Sequence, residues 1–278
     1  MRLGTFLFAL CILSAHGLHE PKTLVLHPQL PPHLAVRGGA ALSPELAAKI
    51  FTGAMLTQGT TSILAPDVQL QLYGVKKPNT QSVGLVKSVG FYFAAVGLVG
   101  YSLLFLKKSP KFSLGVGYCT IALDMVNNLL NNYPKKIGGD LFYSVFFLTE
   151  FLALAWACLT DYKHAFRVIR VVVVFGFLCG LGAFVPDRFS ESTGMNLVNA
   201  TSKAAFSQYC AFILAYVSMA TCIVNSVSPA RCLAAASGVL LLHVSYEGLV
   251  VKTYEKVGIR GFPAYLALLM ILTVAMLR

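Results

Sequence analysis

Beyond residue 42 the chain runs in long apolar stretches separated by short polar breaks. Eight stretches stand out: Leu46–Leu64, Val83–Leu106, Phe112–Leu130, Leu141–Leu159, Phe166–Val185, Ala204–Val224, Leu233–Val251 and Phe262–Leu277. Each holds about 16–24 residues, and a helix crossing the hydrocarbon core takes about 20. Strand-like alternation of period two is absent, which removes a β-barrel. The pattern predicts an all-α polytopic membrane bundle of eight spans. The first stretch is the most polar, with Thr52, Thr57, Gln58, Thr60 and Thr61 inside it.

The two halves read as copies. Val185-Pro186-Asp187 follows Ala65-Pro66-Asp67 at an offset of 120, and Ser228-Pro229 follows Ser109-Pro110 at 119. Leu114 and Leu123 match Leu233 and Leu242 at 119, while Lys136, Gly138 and Phe142 match Lys256, Gly258 and Phe262 at 120. These offsets predict an internal duplication, with one four-helix membrane repeat over 42–160 and a second over 161–278. An even number of spans per unit brings the second copy in from the same side. The repeats are therefore expected to be parallel, unlike the inverted repeats of many transporters.

Each unit ends its first helix on Pro-Asp, at Pro66-Asp67 and Pro186-Asp187, and the first continues through Leu72-Tyr73-Gly74. In this the chain resembles a tandem pair of the small four-helix membrane proteins of the DoxX-like group. The resemblance implies a four-helix membrane unit and brings no shared set of catalytic residues. The second unit departs from it, with Ser192-Thr193-Gly194 near the place of Leu-Tyr-Gly.

The first forty residues read as an address. Met1-Arg2, the apolar run Leu3–Ala15 and the small residues Ser14, Ala15 and Gly17 describe a signal peptide over 1–17. Residues 18–41 read as a Pro-rich transit-like leader or a luminal tail, with one acid, Glu20, and the bases Lys22 and Arg37. A signal peptide followed by an acid-poor basic leader resembles the bipartite targeting sequences of secondary plastids, although Leu18 or His19 stands where those place Phe. The expected location is a plastid membrane, with the endoplasmic reticulum or another secretory-pathway membrane as the alternative.

Composition narrows the class. The chain is 56% apolar and only 12% charged, with a mean hydropathy of +0.71. This excludes an ordinary soluble enzyme and a disordered tail. The net charge of +11 does not imply nucleic acid, because no basic run exceeds two residues. Lys76-Lys77, Lys107-Lys108 and Lys135-Lys136 are better read as headgroup anchors beside spans. The basic residues divide evenly between the two sides, so they set no orientation. The seven Cys are scattered without a C-x-x-C pair and read as small apolar residues, so neither a metal site nor a disulfide framework is expected.

An ionisable residue inside a span is a functional candidate. Asp124, Asn127, Asn128 and Asn131 fall on one stripe of the third predicted helix. His243, Tyr246 and Glu247 repeat the placement of Asp124, Asn127 and Asn128 at an offset of 119. Glu150 stands mid-way along the fourth predicted helix. These eight residues are the candidate ligand or proton site. For the first stripe the readings are interhelical hydrogen bonding or a polar cavity. For His243 and Glu247 they are an intrahelical bond, a proton-active pair or pigment ligation. Glu150 is read as a functional carboxyl or as a protonated Glu bonded to a hydroxyl such as Thr149. Gly176-x-x-x-Gly180 and Gly97-x-x-Gly100 read as helix packing, Phe91-Tyr92-Phe93 as packing or an interface belt, and the sequon Asn199-Ala200-Thr201 as unused.

The sequence favours a non-enzymatic membrane accessory or scaffold subunit, working with the lipid bilayer and other membrane subunits. The alternative is a small-solute or proton-coupled transporter with a polar cavity, and a membrane enzyme ranks third, because no complete catalytic motif or cofactor fingerprint is present. No cofactor is named by the sequence, and no catalytic residue is assigned.

Overall fold

The computed structural model describes residues 42–75, 78–136, 141–259 and 262–278. The signal peptide and Pro-rich leader expected over 1–41 lie outside the described residues. The helices, in order, are α1 (Pro44–Leu64), α2 (Pro66–Leu72), α3 (Thr80–Leu104), α4 (Pro110–Leu130), α5 (Tyr133–Lys136) and α6 (Leu141–Leu159). They continue as α7 (Ala165–Gly180), α8 (Pro186–Ser192), α9 (Ala200–Val224), α10 (Pro229–Ser245), α11 (Thr253–Val257) and α12 (Phe262–Leu277). A 3₁₀ turn, Leu181–Ala183, prolongs α7, and a π turn, Tyr246–Val250, prolongs α10.

Local chemistry sets the helix starts. Ser43 and Ser109 each accept a backbone N–H at 3.2 Å, with proline following at the first helical position. Asn79 closes a capping box with Ser82 at the start of α3, and Asn199 accepts from Ser202 N at 2.9 Å at the start of α9. The two starts are tied together, since Asn79 Nδ2 donates to Ser202 Oγ at 3.2 Å.

The all-α character and the positions of the helices follow the apolar pattern, but the eight-span reading does not hold. Among the described residues four helices are long and apolar enough to cross a membrane: Thr80–Leu104, Ala165–Ala183, Ala200–Val224 and Pro229–Val250. One belongs to the first half of the chain and three to the second, so the expected pair of parallel four-helix spanning repeats is corrected as well. The causes are visible in the sequence. α1 is long but diluted by its threonines and Gln58, and α4 carries Lys111, Asp124, Asn127 and Asn128. The apolar segments Ser144–Leu159 and Phe262–Leu277 are shorter, in the 10–17-residue class. The protein is a helical integral membrane protein.

α3 and α9 form the centre. α9 is 78% buried over its apolar window and α7 only 28%, which places α7 on the lipid-facing perimeter. α3 packs against α1, α4 and α9, and α9 packs against α7 and α10. α6 lies along α4, and α12 lies along both α10 and α1. α6 and α7 are consecutive yet share little surface. Outward faces are apolar, including Trp156 on α6 at 63% exposure. Ion pairs sit at helix ends: Lys111 with Asp161 at 2.6 Å, Lys203 with Asp187 at 2.7 Å, and Glu45 with Lys49 at 2.9 Å. The Lys49 hydrogen bond holds the Glu45 carboxyl below its ordinary value.

Glycines set the closest helix approaches. A Cβ on Gly180 would lie 2.7 Å from Leu214 Cβ and 3.0 Å from Leu214 Cα, so α7 rests directly on the α9 backbone. Gly97 meets Leu56 in the same way between α3 and α1. Gly53, on the exposed face of α1, has nothing within 4 Å. Gly180→Ala is therefore expected to cost about 1–3 kcal/mol by overpacking. Gly53→Ala is expected to gain about 0.5–1 kcal/mol through helix propensity. Thermal unfolding in detergent, followed by circular dichroism, checks both signs.

Candidate functional site

Two serines, each in the N-terminal half of a central helix, organise the buried carboxyls and the histidine. Ser88 on α3 donates to Asp124 Oδ1 of α4 at 2.8 Å. Asn128, one turn further along α4, donates from Nδ2 to the same Oδ1 and to Ser88 Oγ, both at 3.2 Å. Asp124 is fully buried, and its Oδ2 has no hydrogen-bond partner. Ser207 on α9 lies 119 residues after Ser88 and makes the matching contacts to α10. Its Oγ is 2.9 Å from His243 Nε2, 2.8 Å from Glu247 Oε1 and 2.7 Å from the Ala183 carbonyl oxygen. His243 and Glu247 are both buried.

Donor counting constrains this second cluster. Ser207 has one hydroxyl proton, while the Ala183 carbonyl and an ionised Glu247 can only accept. The single proton is thus shared between the Ala183 and Glu247 oxygens, with His243 Nε2 as the third contact of the hydroxyl. His243 and Glu247 thus meet through a serine of the neighbouring helix. Glu247 is the second residue of the π turn that prolongs α10, and such turns gather at functional sites. Among the described residues, no ion pair includes Asp124, Glu150 or Glu247.

The remaining candidates separate from these clusters. Asn131 bonds back to Asn127, donating to its carbonyl at 2.7 Å and its Oδ1 at 3.1 Å, at the exposed end of α4. Tyr246 packs edge-on against Phe184 with ring centroids 5.3 Å apart and donates to the Phe184 carbonyl at 3.4 Å. Glu150 is half-buried on α6, and Thr149 donates to Val145 O.

What joins Glu150 to the first cluster is a cavity of about 420 Å³ between α3, α4, α6, α7 and α9. Ser88, Asn128 and Glu150 stand on its wall, with Asp124 directly behind the first two. Most of the remaining wall is apolar or aromatic. Tyr92 lies edge-on to Tyr209 at 5.4 Å, Tyr118 edge-on to Tyr216 at 5.5 Å, and Phe151 stacks on Tyr118 at 6.3 Å. Tyr133 also lines the cavity. Its hydroxyl donates to backbone carbonyls of Thr80 and Gln81, and its ring occupies the space left by Gly84.

Reasoning from the sequence missed Ser88 and Ser207, whose signal was a matched pair at the 119 offset. It also left Tyr92 as packing or belt. Among the described residues, no group of three or more His, Cys, Asp or Glu comes together to hold a metal ion.

Ser207→Ala leaves the Ala183 carbonyl, His243 Nε2 and Glu247 Oε1 without this partner, whereas Ser88→Ala leaves Asp124 its bond from Asn128. The first is expected to lower stability by about 2–3 kcal/mol and the second by about 1 kcal/mol. Equal losses in paired thermal melts would contradict the three-way role of Ser207. Comparison with protein-family models, curated proteins and solved structures returned no match, so the DoxX-like resemblance rests on its own residues.

Proposed function

We propose that the protein is a transporter-type membrane bundle that binds a small solute in the 420 Å³ cavity and couples its passage to protons. The observation that carries this reading is the cavity wall itself. Ser88 and Asn128 face the cavity while hydrogen-bonding to Asp124, a fully buried carboxyl with a free oxygen. Carboxyls buried among neutral groups within a membrane protein are the groups that relay protons in pumps and transporters. Glu150 on the same wall and the Ser207–His243–Glu247 cluster supply further proton-holding groups. The scaffold reading draws on none of these features. We propose a plastid membrane as the location, on the strength of the leader over 1–41.

The test is reconstitution into liposomes enclosing a pH-sensitive dye, with candidate solutes added outside. A solute-dependent proton flux is expected, reduced at least tenfold in Asp124→Asn. That variant should remain folded, because an amide at this position can still accept from Ser88. Flux unaltered in Asp124→Asn, or no flux with any solute, would overturn the proposal.

A further inference from the structure

The cavity adjoins a seam in the wall of the bundle. α6 is held along α4 and α7 along α9, with little surface shared between α6 and α7. By contrast, α12 packs on both α10 and α1 and closes the wall there. The outer faces beside the seam are apolar: Phe146, Leu152 and Trp156 on α6, and Val171, Val174 and Phe175 on α7, are all more than half exposed. α7 is one of the four helices able to span the membrane, so this surface meets hydrocarbon. Phe175 belongs both to that outer face and to the cavity lining. The cavity therefore borders lipid at the height of α7.

The lining chemistry is polarised. Phe147 and Phe151 on α6 stack at 6.1 Å, and Val172, Gly176 and Cys179 face them from α7. Beside the tyrosines, the polar side chains of the lining are Ser88, Asn128, Ser144, Glu150 and Thr193, and of these Ser88 and Asn128 are backed by Asp124. An anionic end group would meet no Lys, Arg or His among the lining residues, and Glu150 on the wall offers it no positive charge. A metal cation would find no group of three or more His, Cys, Asp or Glu among the described residues. A volume of about 420 Å³ lies within the ~300–1,000 Å³ of small-molecule sites.

We propose that the cavity binds an uncharged amphiphile drawn sideways from the bilayer through the α6–α7 seam. Such a ligand has a flat-ring or prenyl body held by the aromatic wall and one hydroxyl or carbonyl end bonded to Ser88 and Asn128. This deepens the cavity reading above by giving the substrate class, and it rests on that reading for the site. The seam is the entry because both flanking helices are anchored on their far sides only, to α4 and to α9.

The test is photo-crosslinking of the full chain in lipid nanodiscs. Three probes of similar size are used: a diazirine-bearing long-chain alcohol, the corresponding carboxylate, and a membrane-impermeant polar diazirine. Cross-linked residues are mapped by peptide mass spectrometry. The alcohol is expected to label cavity residues such as Met125, Phe147, Phe151 and Cys179, about tenfold more than the carboxylate does at neutral pH. Cys179→Trp should abolish cavity labelling while labelling of the outward Phe146 and Val171 persists. If Cys179→Trp does not fold, Val172→Trp serves in its place. Alcohol labelling confined to outward residues, or cavity labelling by the polar probe alone, would overturn the proposal. The second of these outcomes leaves a solute site open to water and spares the transport reading. Cavity labelling without proton flux in liposomes would sink coupled transport and leave the ligand class standing.

Discussion

Two hydroxyls hold Asp124, Glu247 and His243 inside this bundle. Lipid offers no hydrogen bonds, so a carboxyl brought into the spans must find its partners on neighbouring helices. Ser88 does this for Asp124 across the α3–α4 contact, and Ser207 does it for Glu247 and His243 across the α9–α10 contact. Each serine sits on a central helix, and each polar group sits on the helix packed beside it. The register between those helices is fixed by these bonds, because a shift of one residue rotates the partner by about 100° and removes it from reach.

The two clusters serve different surroundings. Ser207 is closed in by the 3₁₀ turn through the Ala183 carbonyl, and its three contacts exhaust one hydroxyl. Ser88 and Asn128 retain bonding capacity toward open space, and Asp124 keeps an unused oxygen. The outer helices around the two clusters also pack differently. α12 packs along two neighbours and closes its wall, whereas α6 packs extensively along α4 alone.

The positions of the helices were legible because apolar runs of this length leave few other options. The inward stripe of Asp124 and Asn128, and the turn shared by His243 and Glu247, followed from helical periodicity alone. The number of spans was not legible by the same rule. A run such as α1 contains enough apolar residues to draw the eye, yet Thr52, Thr57, Gln58, Thr60 and Thr61 remove the transfer energy that would carry it across. Asn127 and Asn131 share the stripe in sequence but lie at the helix end, where they bond to each other. The serines were hidden because serine in a helix is commonplace, and only the neighbouring helix gives it meaning. The cavity was hidden for a related reason: it is a property of how α6 and α7 fail to meet, and no residue type encodes a gap. The π turn that carries Glu247 has no local signature either.

The attachment of α6 along one edge also determines what the protein reveals of itself optically. The chain has a single tryptophan among twelve tyrosines, and Trp156 stands on the outward face of α6, with the Tyr162 ring 6.4 Å away. Its emission samples the polarity beside this helix and no other. Excitation collected by the tyrosines of the cavity wall drains toward it. The least anchored wall of the bundle thus bears its only intrinsic red-edge fluorophore, and a spectrum of the unlabelled protein is a local reading of that wall.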